Sequence, residues 1–298
     1  MDRFDAMQLF ARIVDRRSFT AAAHDMGVPR STATQVIKQL EARLGVQLLQ
    51  RTTRVVRPTL DGEAYYNRCL SILDDVEEAD SAFAGAPPKG QLRIEVQGTV
   101  FRHFLLPGLP EFLARYPEIE ISISERDRWV DLVEEGVDCA LRWGELPDSD
   151  LIVRQLGRVK RITCAAPKYI EMFGEPTSLG KLGSHQMVGI WPMTTGTVLP
   201  LDFVVKGKVQ YLRSPIRVQV NGPESYRLST LLGLGMAQMP LFHIDDDLRC
   251  GRLVRILPDF PVPTVPISLL YPRSRQLSSR VRVFIDWAVR SFQDDRFM

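Results

Sequence analysis

The chain has 298 residues, 45% hydrophobic and 25% charged, which suggests two or three domains and an ordinary soluble composition. The net charge of +2 hides an asymmetry: residues 1–58 carry ten Lys/Arg against five Asp/Glu, and residues 59–90 carry two against seven, as expected when one end of a protein meets a polyanion. Four scattered cysteines without CxxC or Cys/His spacing argue against zinc and thioredoxin-like chemistry, no apolar run of about 18 residues is present to span a bilayer, and MDRFDAMQLF lacks a signal-peptide core, so a reducing cytoplasm without a membrane partner is the expected location.

In chain order, Phe4, Met7, Phe10 and Val14 recur at helical spacing and predict an amphipathic first helix. Ser18 is placed to cap a second helix, whose Phe19, Ala22, Ala23 and Met26 face inward. Gly27 suits a left-handed helix end and Pro29 a first-turn position of the next helix. In that third helix Ala33, Ile37, Leu40 and Leu44 are spaced 4, 3 and 4 and form one expected buried stripe. At about 100° per residue, Ser31, Gln35 and Lys38 fall nearly opposite the stripe, with Thr32 and Thr34 on its flanks. Such a face suits the DNA major groove, because Gln and Ser/Thr bond base edges and Lys reaches guanine or phosphate. A solvated face of a small bundle is the alternative. LLQRTTRVVRPT (48–59) then reads as a short hairpin, or wing, whose Arg51, Arg54 and Arg57 can grip phosphates.

SFTAAAHDMGV, IKQLEARLGVQLLQRTTR and PTLDGEAYY resemble, in order and spacing, the winged helix-turn-helix of the LysR-type transcriptional regulators. The resemblance implies that residues 1–58 bind double-stranded DNA at a partly palindromic operator. It puts Arg30, Ser31, Thr34 and Gln35 of the reading helix at positions that contact DNA in relatives; Thr32 and Lys38 of the same helix, and Arg51, Thr53 and Arg54 of the wing, complete the expected DNA-binding set. The run Pro29–Arg30–Ser31–Thr32–Ala33–Thr34–Gln35 departs from the family's usual Ser-Gln-Pro-Ala-Val-Ser-Arg, so base preference does not transfer from a typical member.

Thr59 is placed to cap a long helix, with Asp61 and Glu63 favourable in its first turn. Tyr66, Cys69, Leu73, Val76 and Phe83 alternate by threes and fours around Asp80 and predict a short coiled-coil seam. About 24 residues at 1.5 Å give roughly 36 Å, long enough to separate two reading domains. The resemblance makes 59–86 the linker helix that pairs subunits, so the chain is expected to self-associate as a dimer or tetramer. GAPPKG supplies a hinge at 87–90.

From residue 91 onward, strands QLRIEV, IEISIS and DCALRW alternate with helical patterns through Phe104–Tyr116 and WVDLVEEG. That alternation predicts a mostly parallel sheet with helices on both faces. RITCAAP and ISLLYP are later strands placed to carry the chain between two lobes. LLPGLPEFLARYPEIEISI, DLVEEGVDCALRWGELPDSDL, LLGLGMAQMP and SSRVRVFIDW resemble the effector-binding domain of the same family. The fold expected for 91–298 is therefore a two-lobed α/β unit of the periplasmic-binding-protein type 2 kind. Lobe I takes about 91–162 and 267–298, and lobe II about 163–266.

A small-molecule effector, with a carboxylate among the candidates, is expected at strand ends between the lobes. Gly98, Thr99 and Val100 open a helix after the first strand, and the resemblance marks that point as a ligand contact. Arg126 follows the second strand and Arg142 the third, and either can supply a cation, with a structural ion pair as the alternative. Trp191 can wall an aromatic ligand or serve in a core, and Asn221 sits at a strand end that faces the cleft in relatives. No cofactor is expected: GLG at 233–235 lacks a dinucleotide fingerprint, and no GxSxG, P-loop or HExxH occurs. The rival readings are a binding-protein-fold enzyme, a ligand-binding protein, and a redox sensor using Cys139 and Cys164. Against the last, both cysteines read as small buried strand residues. RNA polymerase stays open as a further partner.

Overall fold

The structure, a computed structural model, describes residues 1–51, 56–84, 87–125, 131–133, 135–193, 195–273 and 277–292; the side chains of 51, 74–75 and 77–84 are outside that description. Helix α1 (Arg3–Arg16) opens on a capping box, in which the Asp2 side chain accepts from the Asp5 N–H and Asp5 returns the bond. Helix α2 (Phe19–Asp25) is capped by Ser18, which accepts from the Ala21 N–H at 3.3 Å. Gly27 is left-handed as expected, with φ of 64°. Pro29 is the residue before helix α3 (Arg30–Leu44) rather than part of its first turn. Ala33, Ile37 and Leu40 are buried against α1 and α2, but Leu44 is 38% exposed. It is the last residue of α3 and lies past the small core.

Strands β1 (Leu49–Arg51) and β2 (Val56–Pro58) form the expected antiparallel hairpin, with Gln50 opposite Arg57. The 25-residue helix α4 (Leu60–Ala84) follows, and Thr59 caps it by accepting from the Gly62 N–H at 2.9 Å. The start of its expected coiled-coil seam is used differently. Cys69 is fully buried in the core of the first domain, Tyr66 packs beside that core, and the Tyr66 hydroxyl bonds Asp15 on α1. The first turns of α4 therefore complete a domain too small to bury α1 alone. Val76 remains 41% exposed, and the side chain of Phe83 lies outside the described residues.

The remaining chain builds several sheets. Strand β3 (Gly90–Val96) leads into α5 (Gly98–Val100), a π-helical turn at 101–105, a 3₁₀ turn at 106–108 and α6 (Leu109–Arg115). These bury Phe104 and Phe112, whereas Leu113 is 37% exposed. Strands β4 (Ile119–Glu125), β5 (Cys139–Trp143) and β6 (Ile152–Val159) follow. The chain then crosses to β7 (Arg161–Ala165), α7 (Pro167–Phe173), β8 (Met187–Ile190), β9 (Leu201–Val205), β10 (Lys208–Leu212) and β11 (Ile216–Val220). Next come α8 (Pro223–Leu231), β12 (Ala237–Pro240), α9 (Leu241–Arg249) and β13 (Val254–Arg255), before the return through β14 (Val265–Tyr271) to α10 (Ser279–Ser291).

The first sheet has the order β4-β3-β5-β14-β6. Its β4, β3 and β5 are parallel, but β14 is antiparallel to both β5 and β6. The expected mostly parallel sheet is thus mixed, because β14 re-enters from the second set of strands running the opposite way. That second set comprises the antiparallel β12-β7-β13, the parallel pair β8/β11 and the hairpin β9/β10. The expected helix WVDLVEEG falls partly outside the described residues. Residues 132–133 and 135–136 are turns, closed by the Glu135 N–H on the Asp131 carbonyl at 3.0 Å and by Gly136 at φ of 64°. Phe242, at the start of α9, packs in the core of the first sheet at 4.9 Å from His103 and 5.0 Å from Phe104. It pins the two α/β units to each other.

Candidate nucleic-acid interface and ligand cleft

Helix α3 turns its buried stripe to α1 and α2, so its opposite face is left to solvent. Arg30, Ser31, Gln35 and Lys38 are exposed there and Thr34 is half-buried. Together these five line an open concavity of about 560 Å³. Two cations and three neutral hydrogen-bonding groups meet in it, with no carboxylate. Thr32 is half-buried and lies outside that lining. Arg51 ends β1, with its side chain outside the described residues, and Thr53 and Arg54 are outside them altogether. Arg57 is exposed on β2.

A link missed in the sequence holds this hairpin to α3. The Leu48 and Leu49 N–H groups both donate to Glu41 Oε1, at 2.9 and 3.1 Å. The signal was present: Glu41 is the sole carboxylate between Asp25 and Asp61. From the other side, the Thr59 N–H donates to the Leu48 carbonyl at 2.9 Å and the Thr59 hydroxyl to the Gln47 carbonyl at 2.6 Å.

At the expected ligand cleft the outcome is mixed. Gly98 and Thr99 do leave the end of β3, and Thr99 is half-buried. Val100 is 1% exposed and its side chain packs in the core of the first sheet, which corrects its expected place as a ligand contact. Arg142 is also withdrawn: it is buried and paired with Glu95 on the neighbouring strand. The structural ion pair is therefore the outcome there, since a buried guanidinium requires a compensating charge. Arg126 lies outside the described residues. Trp191 follows β8 half-buried, and its N–H donates to the Val220 carbonyl at 3.0 Å. That bond sets it beside exposed Asn221, which follows β11 and precedes α8. These two belong to the second set of strands, and Gly98 and Thr99 to the first.

Three neighbours of these candidate residues were not legible beforehand. Glu125, at the end of β4, pairs with Arg102 at 2.6 Å, and a Cβ on Gly98 would sit 2.0 Å from the Glu125 carboxylate. Gln97 Oε1 accepts from the Trp143 N–H at 2.6 Å, tying the ends of β3 and β5 together. None of the three carries a sequence motif. Cys139 and Cys164 are fully buried in strands of different sheets. Burial raises the Cys139 thiol well above its ordinary value and, with Asp247 adding to it, the Cys164 thiol to about 12.

A helix-turn-helix with an acid-free polar face, joined by a long helix to paired α/β sheets, defines a ligand-responsive DNA-binding protein. A family model described as "Bacterial regulatory helix-turn-helix protein, lysR family" matches residues 4–63, and one described as "LysR substrate binding domain" matches residues 85–293. The HTH-type transcriptional regulator YhjC of Escherichia coli is 39% identical over 96% of this chain and 97% of its own. An HTH-type transcriptional repressor of Pseudomonas aeruginosa is 34% identical over 99% and 94%. The structure of CrgA, a LysR-type transcriptional regulator from Neisseria meningitidis, superposes with a TM-score of 0.62 at 29% identity, covering 97% of this chain and 98% of that one. The chain belongs to the LysR-type family of transcriptional regulators. It is a DNA-binding regulator with an effector-binding domain.

Proposed function

We propose that α3 lies in the major groove and reads bases through Ser31, Thr34 and Gln35, while Arg30 and Lys38 meet guanine edges or phosphates. The wing arginines Arg51 and Arg54, with Thr53, hold the flanking backbone. The single observation that carries this reading is the carboxylate-free concavity formed by Arg30, Ser31, Thr34, Gln35 and Lys38. Residues 1–58 act as the DNA-binding domain, 59–86 as the linker helix, 87–90 as the hinge and 91–298 as the regulatory domain. The crossings of the chain at Lys160 and before Val265 support the division of that domain into two lobes. A small organic effector, a carboxylate for preference, binds between the lobes near Gly98, Thr99, Trp191 and Asn221. By binding one lobe arrangement more tightly, it shifts how paired subunits hold their reading helices. Action on the chromosome places the protein in the cytoplasm, where it works as a homo-oligomer and not as an enzyme.

The test is binding-site selection with the whole chain. Gln35→Ala should relax base preference at one half-site position, at a cost of about 1–3 kcal/mol on the preferred base. Arg54→Ala should weaken all sequences about equally. If Gln35→Ala leaves both affinity and preference intact on the selected site, the face is misassigned.

A further inference from the structure

We propose that Glu41 is a positioning residue for DNA binding: its carboxylate holds the wing in register with the reading helix. This rests on the reading that the hairpin's arginines meet phosphates. The geometry sits at the base of the hairpin. Glu41 Oε1 receives two successive N–H groups, from Leu48 and Leu49, just as the chain enters β1. The side chains of both leucines are buried, at 1% and 2% exposure, so their backbone has little water to turn to. On the far side, Thr59 holds the Leu48 and Gln47 carbonyls. The hairpin base is thus clamped between α3 and the start of α4.

By charge alone a carboxylate in this basic domain works against phosphate attraction. What Glu41 contributes is an acceptor at a fixed place. Two amides bonded to one oxygen set the direction in which β1 leaves the helix, and β1 sets β2 through the Gln50–Arg57 pairing. Arg57 is exposed on β2. Its distance from the reading face of α3 is therefore governed by a residue that touches no DNA. Without the acceptor, Leu48 and Leu49 must find other partners, and the hairpin swings to reach them.

The experiment measures binding of the full-length chain to a mixed-sequence DNA duplex across a salt series. The variants are Glu41→Ala, Glu41→Met, Glu41→Gln, Arg57→Ala and the double variant Glu41→Ala/Arg57→Ala. Arg57→Ala should lower the slope of log affinity against log salt by about one. Glu41→Ala should lower it by at least as much, although it removes no cation. The double variant should match Glu41→Ala alone, because the arginine has already left its phosphate. Glu41→Gln keeps an acceptor and should retain the wild-type slope while binding no more weakly. Glu41→Met fills the same space without an acceptor and should behave as Glu41→Ala. It keeps the test valid if the alanine variant folds poorly in thermal unfolding. A purely structural role would move the melting temperature and leave the slope of folded protein unchanged. If Arg57→Ala lowers the slope while folded Glu41→Ala and Glu41→Met do not, the proposal is overturned. If Glu41→Gln behaves as the alanine variant, the acceptor argument is overturned. If Arg57→Ala leaves the slope untouched, the wing reading fails and the proposal with it.

Discussion

At the scale of single residues, Asp247 shows how burial and pairing oppose one another. Its side chain is 1% exposed, and it accepts from Arg227 Nε at 2.6 Å and Arg252 Nε at 2.7 Å. Burial works to raise its carboxyl, but the two guanidinium groups outweigh burial and hold it below the ordinary 3.8. A carboxyl depressed in the fold stabilises above its unfolded value and loses that contribution as the pH falls through the folded one. Nearby, His243 is held below its ordinary 6.5 by burial, against the opposing pull of Glu224. A depressed imidazole has the same sign here, because the unfolded chain takes up its proton first. Acid should therefore destabilise the α8–α9 region in two stages, first as His243 protonates and then as Asp247 does. Asp247→Asn should cost about 1–3 kcal/mol at neutral pH by removing the charge that both guanidinium groups bond, and should flatten the second stage. Denaturant unfolding across pH checks both, and an unchanged acid limb in the variant would sink the assignment.

At the scale of elements, the joint between wing and linker helix depends on one close approach. A Cβ built on Gly62, in the first turns of α4, would lie 2.0 Å from the Leu48 carbonyl oxygen. That atom is backbone and is already bonded to the Thr59 N–H, so it cannot step aside alone. Alanine gains about 1 kcal/mol in an ordinary helix position. Here overpacking should outweigh that gain, so Gly62→Ala should lower stability by about 1–3 kcal/mol and weaken binding to DNA. A variant as stable as wild type would show that α4 can move off the hairpin freely. The elements themselves were largely legible, and the reason is locality. Ser18, Ala33, Ile37, Leu40 and Thr59 act within a turn or two of their own positions, where side-chain period and capping rules apply. Glu41 was not legible as a clamp, because its partners lie across Gly45 and the entry to β1. Tyr66 and Cys69 were read as a seam between subunits, since periodicity shows that a stripe is buried and not what buries it.

At the scale of the whole molecule, the first α/β unit rests on α4 of the same chain. A Cβ on Gly136 would meet Asn67 at 3.3 Å, at both its Cβ and its backbone oxygen, and Gly136 is left-handed at φ of 64°. The same turn is strapped to β3, where the Arg93 N–H donates to Asp138 at 2.8 Å. The first α/β unit therefore meets α4 toward the end of β3 opposite to Gly98 and Thr99. Gly136→Ala carries a conformational cost of about 1–2 kcal/mol and also presses on α4. Gly251→Ala carries a similar cost at φ of 67° with open space around it. Both variants should lose comparable stability, but only Gly136→Ala should change the bend of bound DNA, read by end-to-end fluorescence transfer. Equal bends would mean that the contact does not set the linker's direction.

By itself the sequence determined the local grammar of this protein: the helix-turn-helix, the wing, the long helix, most of the strands and membership of the LysR-type family. Those depend on residues a few positions apart and on motifs that keep their spacing. Tertiary structure alone decided which charges are spent internally, because Arg142 meets Glu95 only where β3 and β5 lie side by side. It also decided that β14 runs against its neighbours, that Val100 turns into a core, and that Phe242 pins one α/β unit to the other. Each depends on chain segments that meet only after the sheets have formed, and no local pattern records that meeting.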